Sequence, residues 1–198
     1  RFHHADSLMV NSGSSANLVM FAALKRHLNW QDGDEIIVSP VGFPTTIAPI
    51  HQNRLVPVFV DISLEDLNFD LNEIEKKITP RTRAIVVSPV LGNPPDMDRL
   101  LEMSRYHGIQ LVMDNCDSLG SRWNDQLLTD YSVASSCSFY PAHHITTGEG
   151  GMAVTNNEAL AARARLLKDQ AHSPQKKFFH ENIGFNYRMT NIQAGVGL

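Results

Sequence analysis

Two adjacent histidines are candidates for moving a proton. His143 and His144 lie in the segment SFYPAHHITTGEGG at residues 138–151. Neighbouring side chains point in different directions in a helix or a strand, so we expect one imidazole to be free for chemistry. An imidazole suits a base because its unperturbed pKa, about 6.5, lies near working pH. The alternatives are a structural role for His144 and a metal pair, but the pair lacks the spaced third ligand of a metal site, so we predict no metal.

The run Ser12-Gly13-Ser14-Ser15-Ala16 is a candidate anion site. It lies at the start of the segment of residues 14–29, in which apolar residues recur at spacings of three and four. That spacing predicts an amphipathic helix. Backbone N–H groups and the helix dipole favour a phosphate at a helix start, and the serine hydroxyls add donors. The alternative is a plain serine cap followed by a glycine turn.

Two more candidates follow runs that look like strands. Asp114 ends the apolar run that begins at Ile109, and Asp117 comes three residues later. Ligands bind at the carboxyl ends of parallel strands, which favours Asp114 as a ligand-binding residue. Asp117 is also explained as a cap or turn residue. Phe43 follows the run that begins at Glu35, and its ring either stacks on a flat ligand or belongs to the core.

The elements that must position these residues indicate an α/β fold. Short β-branched runs alternate with segments of helical periodicity, which is the pattern of a mainly parallel central sheet flanked by helices. The predicted strands are residues 35–39, 55–61, 84–90 and 109–114. The predicted helices after the first are residues 44–52, 70–77, 96–107 and 157–170.

Composition narrows the functional classes. With 42% hydrophobic and 19% charged residues over 198 positions, the chain can bury a sizeable core. A formal charge of -4 with scattered basic residues argues against nucleic-acid binding. No apolar run reaches membrane-spanning length and no signal-peptide pattern is present, so we expect a cytoplasmic protein without a membrane partner. Cys116 and Cys137 form no CxxC pair, and we expect both to be reduced.

These motifs together resemble the DegT/DnrJ family of sugar aminotransferases, which have the large-domain fold of fold type I enzymes dependent on pyridoxal phosphate (PLP). The run GFNYRMTN at residues 184–191 is very close to the family signature GYNYRMTN and carries the most weight. The resemblance covers nearly all of residues 1–198. It implies an incomplete cofactor-binding large domain, with the N-terminal arm and the smaller C-terminal domain not present in this chain.

The resemblance also implies a role for each candidate residue. The residues implied to bind the cofactor phosphate are Gly13, Ser14, Ser15 and Ser138. Phe43 would lie over the cofactor ring, and Asp114 would pair with the ring nitrogen and keep it protonated. Asp117 stands where the aminotransferases usually carry a glutamine near the ring hydroxyl. Asn186 would reach the cofactor phosphate of the other subunit, which implies a homodimer with a shared active site.

His143 replaces the lysine that carries the cofactor in this family. Aligning SFYPAHHITTGEGG with the family pattern SFxxxKxxTTGEGG places His143 at the lysine, and the chain has no lysine between Lys77 and Lys168. A histidine can move a proton but cannot hold PLP covalently. This resembles the 3-dehydratases, which use free pyridoxamine phosphate (PMP) to remove the C3 hydroxyl of a nucleotide-linked 4-keto-6-deoxy sugar.

Within that branch, SFYPAHHIT is similar to the CDP-4-keto-6-deoxyglucose 3-dehydratases, which bind an iron–sulfur cluster through four cysteines. This chain has two cysteines, so we expect no cluster. The resemblance to the cluster-free branch implies glutamate as the amino donor that restores PMP, but whether glutamate or a reductase completes the cycle stays open. Two alternatives stay open. One is a PLP-dependent sugar aminotransferase whose lysine has been lost or moved, and the other is a non-catalytic cofactor-binding homologue. The nucleotide and the sugar also stay open.

Overall fold

Nine strands and six helices lie along residues 6–198, which are the residues that this computed structural model describes. The strands are β1 (Asp6–Val10), β2 (Glu35–Val38), β3 (Val56–Phe59), β4 (Thr82–Val87), β5 (Gln110–Asp114), β6 (Arg122–Trp123), β7 (Gln126–Leu127), β8 (Ala134–Ser138) and β9 (Gly151–Thr155). The helices are α1 (Gly13–His27), α2 (Pro44–Gln52), α3 (Leu71–Lys77), α4 (Met97–His107), α5 (Glu158–Lys168) and α6 (Asn191–Val196).

Seven of these strands form one sheet in the order β1-β9-β8-β5-β4-β2-β3. The pairs β2–β3, β2–β4, β4–β5 and β5–β8 are parallel, whereas β9 runs antiparallel to both β8 and β1. The strands β6 and β7 pair separately with each other. The parallel majority confirms the predicted α/β fold with a mainly parallel sheet.

The central strands send alternate side chains to two apolar layers. In β2, Ile36 and Val38 belong to a cluster with residues of α1, α2 and α5, whereas Ile37 belongs to a cluster with residues of α3 and α4. Side chains alternate across a strand, so an apolar residue at every position requires cover on both faces. Helices therefore flank the sheet on both sides, and the parallel strands end together at one edge.

Helix α1 begins where the sequence predicted. Ser12 is its N-cap, and the Ser12 Oγ accepts a hydrogen bond from the Ser15 N–H at 3.0 Å. Its buried surface is wider than the predicted stripe, because Ala16 and Val19 are fully buried while Leu18 is only partly buried. The reason is that α1 contacts α2 and α5 as well as β8 and β9.

The predicted strand at residues 84–90 is wrong at its C-terminal end. β4 stops at Val87, and after Pro89 the chain makes a short 3₁₀ turn at Val90–Gly92. Proline has no N–H to donate to a strand partner, which explains the stop. The strands β1, β6, β7, β8 and β9 were not predicted. β8 reads Ala-Ser-Ser-Cys-Ser and carries no β-branched signal, although all five of its residues are buried.

Candidate functional site

A cavity of about 510 Å³ lies at the carboxyl ends of three parallel strands. Ser88 follows β4, Asp114 ends β5 and Ser138 ends β8. The volume is in the range of small-molecule sites. The lining residues are Ser12, Gly13, Ser14, Phe43, Thr45, Ser88, Asp114, Cys116, Asp117, Ser138, Tyr140, Ala142, His143 and Glu149.

The cavity brings together seven of the nine residues singled out from the sequence. These seven are Gly13, Ser14, Phe43, Asp114, Asp117, Ser138 and His143. They come from segments that are far apart in the chain and meet because the parallel strands end at one edge of the sheet. Ser15 and Asn186 do not line the cavity.

The N-terminus of α1 meets the end of β8 at one wall of the cavity. A Cβ added at Gly13 would lie 2.6 Å from Cβ of Ser138, so this approach requires a glycine. Gly151 is constrained in the same way, since a Cβ there would lie 2.2 Å from the carbonyl oxygen of Ser12. The free N–H groups of the helix start and the hydroxyls of Ser14 and Ser138 make a wall that suits an anion.

Asp114 is a buried carboxyl group surrounded by four donors. Its Oδ2 accepts hydrogen bonds from Nδ2 of Asn17 at 2.8 Å and from Oγ1 of Thr46 at 2.6 Å. Its Oδ1 accepts from the backbone N–H of Cys116 at 3.3 Å and from Oγ of Ser136 at 3.2 Å. Asp114 is only 5% exposed, and these donors offset the cost of taking its oxygens out of water.

His143 lies on the loop of residues 139–150 that joins β8 to β9. The loop is closed at its base, where the N–H of Phe139 donates to the carbonyl oxygen of Gly150 at 2.9 Å. A turn then places the histidine, because its N–H donates to the carbonyl oxygen of Tyr140 at 3.0 Å. His143 lines the cavity, whereas His144 is exposed and does not. The structure therefore favours His143 as the histidine available for chemistry.

Asp117 lies beside the imidazole of His143. Its Oδ1 is 3.4 Å from Nδ1 of His143, and the ring of Tyr140 meets the imidazole edge-on with 6.2 Å between the ring centroids. A carboxylate at Nδ1 favours the tautomer with its proton on Nδ1 and leaves Nε2 as the proton acceptor. The sequence carried no sign of this contact, since Asp117 follows β5 and His143 lies on the loop after β8.

Two of the nine residues do not line this cavity. The N–H of Ser15 donates to Oγ of Ser12 at 3.0 Å, and its hydroxyl accepts from the same group, so Ser15 belongs to the helix cap. Asn186 is exposed, and its Oδ1 accepts a hydrogen bond from Nε of Arg188 at 3.3 Å. Asn186 is thus outside the cavity of its own chain, and its contact with a partner's cofactor stays a prediction.

Several polar lining residues were missed by the sequence reasoning. Tyr140 stands three residues before His143 in a segment already singled out, and Thr45 stands two residues after Phe43. Ser88 directly follows a strand, which is the position that identified Asp114. Tyr140 and Thr45 were therefore within reach of the sequence argument, whereas Ser88 fell inside the strand predicted at residues 84–90.

The two cysteines have different surroundings. Cys116 lines the cavity, whereas Cys137 of β8 belongs to a small apolar cluster. Burial raises the pKa of the Cys137 thiol to about 12. Burial, and after it the charge of Asp114, strongly raises the pKa of the Cys116 thiol. Both sulfurs are therefore held as thiols, which are poor nucleophiles.

We expect both cysteines to resist alkylation in the folded protein. Iodoacetamide at pH 8 should leave Cys116 and Cys137 unmodified over a time in which both are fully labelled in guanidinium chloride, because only the thiolate reacts quickly. Peptide mass spectrometry measures the extent at each residue. Labelling of Cys116 in the native protein as fast as in denaturant would contradict the raised pKa.

Residues 6–198 hold no group of three or more His, Cys, Asp or Glu side chains placed to bind a metal ion. None of the helices in the described part of the chain is long and apolar enough to cross a membrane.

Comparisons with known proteins agree on one family. The model of the DegT/DnrJ/EryC1/StrS aminotransferase family matches residues 2–198. The dTDP-4-dehydro-2,6-dideoxy-D-glucose 3-dehydratase of Saccharopolyspora spinosa is 38% identical over 219 residues, covering 96% of this chain and 47% of that protein. The GDP-4-keto-6-deoxy-D-mannose 3-dehydratase of Yersinia pseudotuberculosis is 40% identical over 211 residues, covering 97% of this chain and 54% of that protein.

A solved structure shows the same fold. The structure of the E. coli GDP-4-keto-6-deoxy-D-mannose 3-dehydratase with bound hydrated PLP matches with a TM-score of 0.93 and 31% sequence identity. The match covers 99% of this chain and 55% of that one. The chain thus spans about half the length of the curated relatives it matches.

Proposed function

The chain belongs to the DegT/DnrJ/EryC1/StrS aminotransferase family, and we propose that it carries the cofactor site of a PMP-dependent 3-dehydratase. The substrate would be a nucleotide-linked 4-keto-6-deoxy sugar, in the synthesis of deoxysugars for lipopolysaccharide or a related glycan. One observation carries the proposal: among residues 6–198, a histidine and no lysine lines the cavity. The two curated relatives described above, both 3-dehydratases, support it.

The residues of the cavity fit PMP. The start of α1 with Ser14 and Ser138 suits the phosphate, and Asp114 can accept from a protonated ring nitrogen. Phe43, just before α2, is 65% exposed and lines the cavity, so its ring is free to lie against a flat heteroaromatic ring. Gly13 lets the α1 start and Ser138 approach closely enough to hold one anion between them.

The side chains around the cavity divide the chemistry between them. When bound, PMP supplies the amine for the C4 ketone and a ring that accepts electrons. Nε2 of His143 is the atom we propose to take up a proton, with Asp117 holding the imidazole in the required tautomer. The imidazolium formed is then the acid that we propose for the departing C3 hydroxyl, which leaves as water.

Glutamate is the proposed amino donor. Over one full cycle, glutamate and the keto sugar would give 2-oxoglutarate, ammonia and the 3-deoxy keto sugar. This accounts for the two electrons, because glutamate is oxidised and C3 of the sugar is reduced. No iron–sulfur cluster enters the proposal, since Cys116 and Cys137 are the only cysteines in the sequence.

We also propose that the chain is a large domain within a homodimer. Asn186 is exposed and lies outside its own cavity, so it is available to a site on a second copy. An N-terminal arm and a smaller C-terminal domain would lie outside this chain and complete the substrate site.

A PLP-dependent sugar aminotransferase is the second candidate function, because the family as a whole is described as one of aminotransferases. It requires a lysine to reach the cofactor from another position. A non-catalytic cofactor-binding homologue is the third candidate. It would bind PMP through the same residues and show no turnover.

Borohydride reduction separates the first two candidates. We propose to incubate the whole protein with PLP, reduce it with sodium borohydride and measure its mass. The 3-dehydratase proposal expects no covalently fixed cofactor in the wild type and a fixed cofactor in His143→Lys, which serves as the positive control. Cofactor fixed to a lysine of the wild type would contradict the proposal and support the aminotransferase.

A further inference from the structure

Two buried side chains from different helices donate to the same oxygen of Asp114. Asn17 of α1 donates through Nδ2 at 2.8 Å, and Thr46 of α2 donates through Oγ1 at 2.6 Å, both to Oδ2. Asn17 is 2% exposed and Thr46 is 3% exposed. A carboxylate oxygen has two lone pairs, so these two donors fully occupy Oδ2.

The other oxygen, Oδ1, is held less tightly. Its donors are the backbone N–H of Cys116 at 3.3 Å and the hydroxyl of Ser136 at 3.2 Å. Both distances are longer than the usual values for these donor types. Asp114 lines the cavity, and because both of its donors are at long distances, Oδ1 is the oxygen that can more easily accept from a charged donor in their place.

The amide of Asn17 has one orientation that suits its neighbours. Its Nδ2 also donates to the carbonyl oxygen of Thr45 at 3.2 Å, so both groups on that side are acceptors. A flipped amide would set its oxygen against two other oxygens. In the observed orientation, Oδ1 of Asn17 is buried without a partner. An unsatisfied buried oxygen is costly, so the contacts that Nδ2 makes must offset this cost.

Further hydrogen bonds connect Asn17 and Thr46 to the anion-binding wall formed by the start of α1. Oγ of Ser14 donates to Oγ1 of Thr45 at 3.1 Å, which links the start of α1 to α2. Asn17 lies on α1 one turn after Gly13 and Ser14. The helix start and the Asp114 carboxyl group therefore belong to one hydrogen-bonded unit rather than to separate flexible parts.

Building on the cofactor site of the proposed function, we infer that Asn17 and Thr46 are positioning residues that occupy Oδ2 of Asp114 and so direct Oδ1 to the protonated ring nitrogen of PMP. Neither residue lines the cavity, so both act through Asp114. Without these donors, Asp114 would keep only the two long contacts at Oδ1, so its carboxyl group would be held less firmly and would meet the ring nitrogen only part of the time.

The test is a PMP titration of the whole protein, followed by absorbance, in Thr46→Val and Asn17→Leu. We expect PMP affinity to fall about tenfold in each variant, because this is the usual contribution of one hydrogen bond to a charged group. The pH midpoint at which the bound PMP spectrum changes should also fall by about one unit, because a misdirected carboxylate holds the ring proton less well. Thr46→Ser keeps the hydroxyl and should restore both values.

Thr129→Val is the matched control. Thr129 is another fully buried threonine, but its hydroxyl has no hydrogen-bond partner and it lies away from the cavity. We expect it to leave PMP affinity and the pH midpoint unchanged. The melting temperature of each cofactor-free variant shows whether the fold is intact.

Wild-type affinity and an unchanged pH midpoint in Thr46→Val would overturn the inference and leave Thr46 with a structural role alone. If Thr46→Val does not fold, Asn17→Leu takes its place, and wild-type affinity with an unchanged pH midpoint in that variant would overturn the inference. A wild type that does not bind PMP would instead overturn the proposed function, and the inference with it.

Discussion

Replacing His143 by asparagine is expected to lower kcat for C3 dehydration by about a hundredfold to ten-thousandfold, the usual contribution of a positioned general base. Asparagine keeps a polar side chain of similar reach but has no nitrogen that takes up a proton. His143 lines the cavity while its main chain is fixed by the turn to Tyr140, so the loop should keep its shape. PMP affinity should therefore stay close to that of the wild type.

His144→Asn is the matched control for this change. It alters the neighbouring histidine, which is exposed and does not line the cavity. Dehydration should continue at close to the wild-type rate. Rates are measured by the loss of the keto-sugar substrate under saturating PMP and glutamate. Full activity in His143→Asn, or loss of activity in both variants alike, would contradict the assignment of His143 as the base.

Replacing Asp114 by asparagine is expected to weaken PMP binding by roughly tenfold to a hundredfold, because a hydrogen bond to a charged group is lost. Turnover should fall by at least about a hundredfold, since the ring nitrogen loses the negative charge that keeps it protonated. The exchange preserves the shape of the side chain. Its new amide hydrogens would, however, face the donors of Asn17 and Thr46, which adds to the loss.

The control for this second change is Asp125→Asn. Asp125 is exposed in the turn between β6 and β7 and has a positive φ of 62°, a conformation that asparagine tolerates well. It should bind PMP and turn over like the wild type. Spectrophotometric titration and initial rates supply the two values. Wild-type PMP binding in Asp114→Asn would show that the carboxyl group does not meet the ring nitrogen.

The sequence predicted best where local chemistry decides the structure. The start of α1 could be predicted because few residue types can cap a helix as serine does, and only glycine leaves room for another segment at short distance. The position of Asp114 at the cavity could be predicted because ligands bind at the carboxyl ends of parallel strands. β8 was missed because three of its five residues are serines, which do not form an apolar or β-branched pattern although all five residues are buried. Burial of serines depends on tertiary contacts that a single sequence does not show.

Contacts between distant segments could not be predicted either. Nothing in the order of residues places Asp117 beside His143, or Asn17 beside Asp114. Both contacts depend on which strands become neighbours in the sheet and on the side to which each loop folds. The family resemblance supplied the list of site residues, but the orientation of the imidazole and of the carboxyl group came from the structure.

The product formed by the whole protein tests the central claim most directly. It should be incubated with PMP, glutamate and a GDP-, CDP- or dTDP-linked 4-keto-6-deoxyhexose, and the sugar product identified by mass spectrometry and NMR. The account predicts a 3-deoxy keto sugar, with ammonia and 2-oxoglutarate released in equal amounts and no amino sugar. A 4-amino sugar that keeps its C3 hydroxyl would contradict the account and identify an aminotransferase.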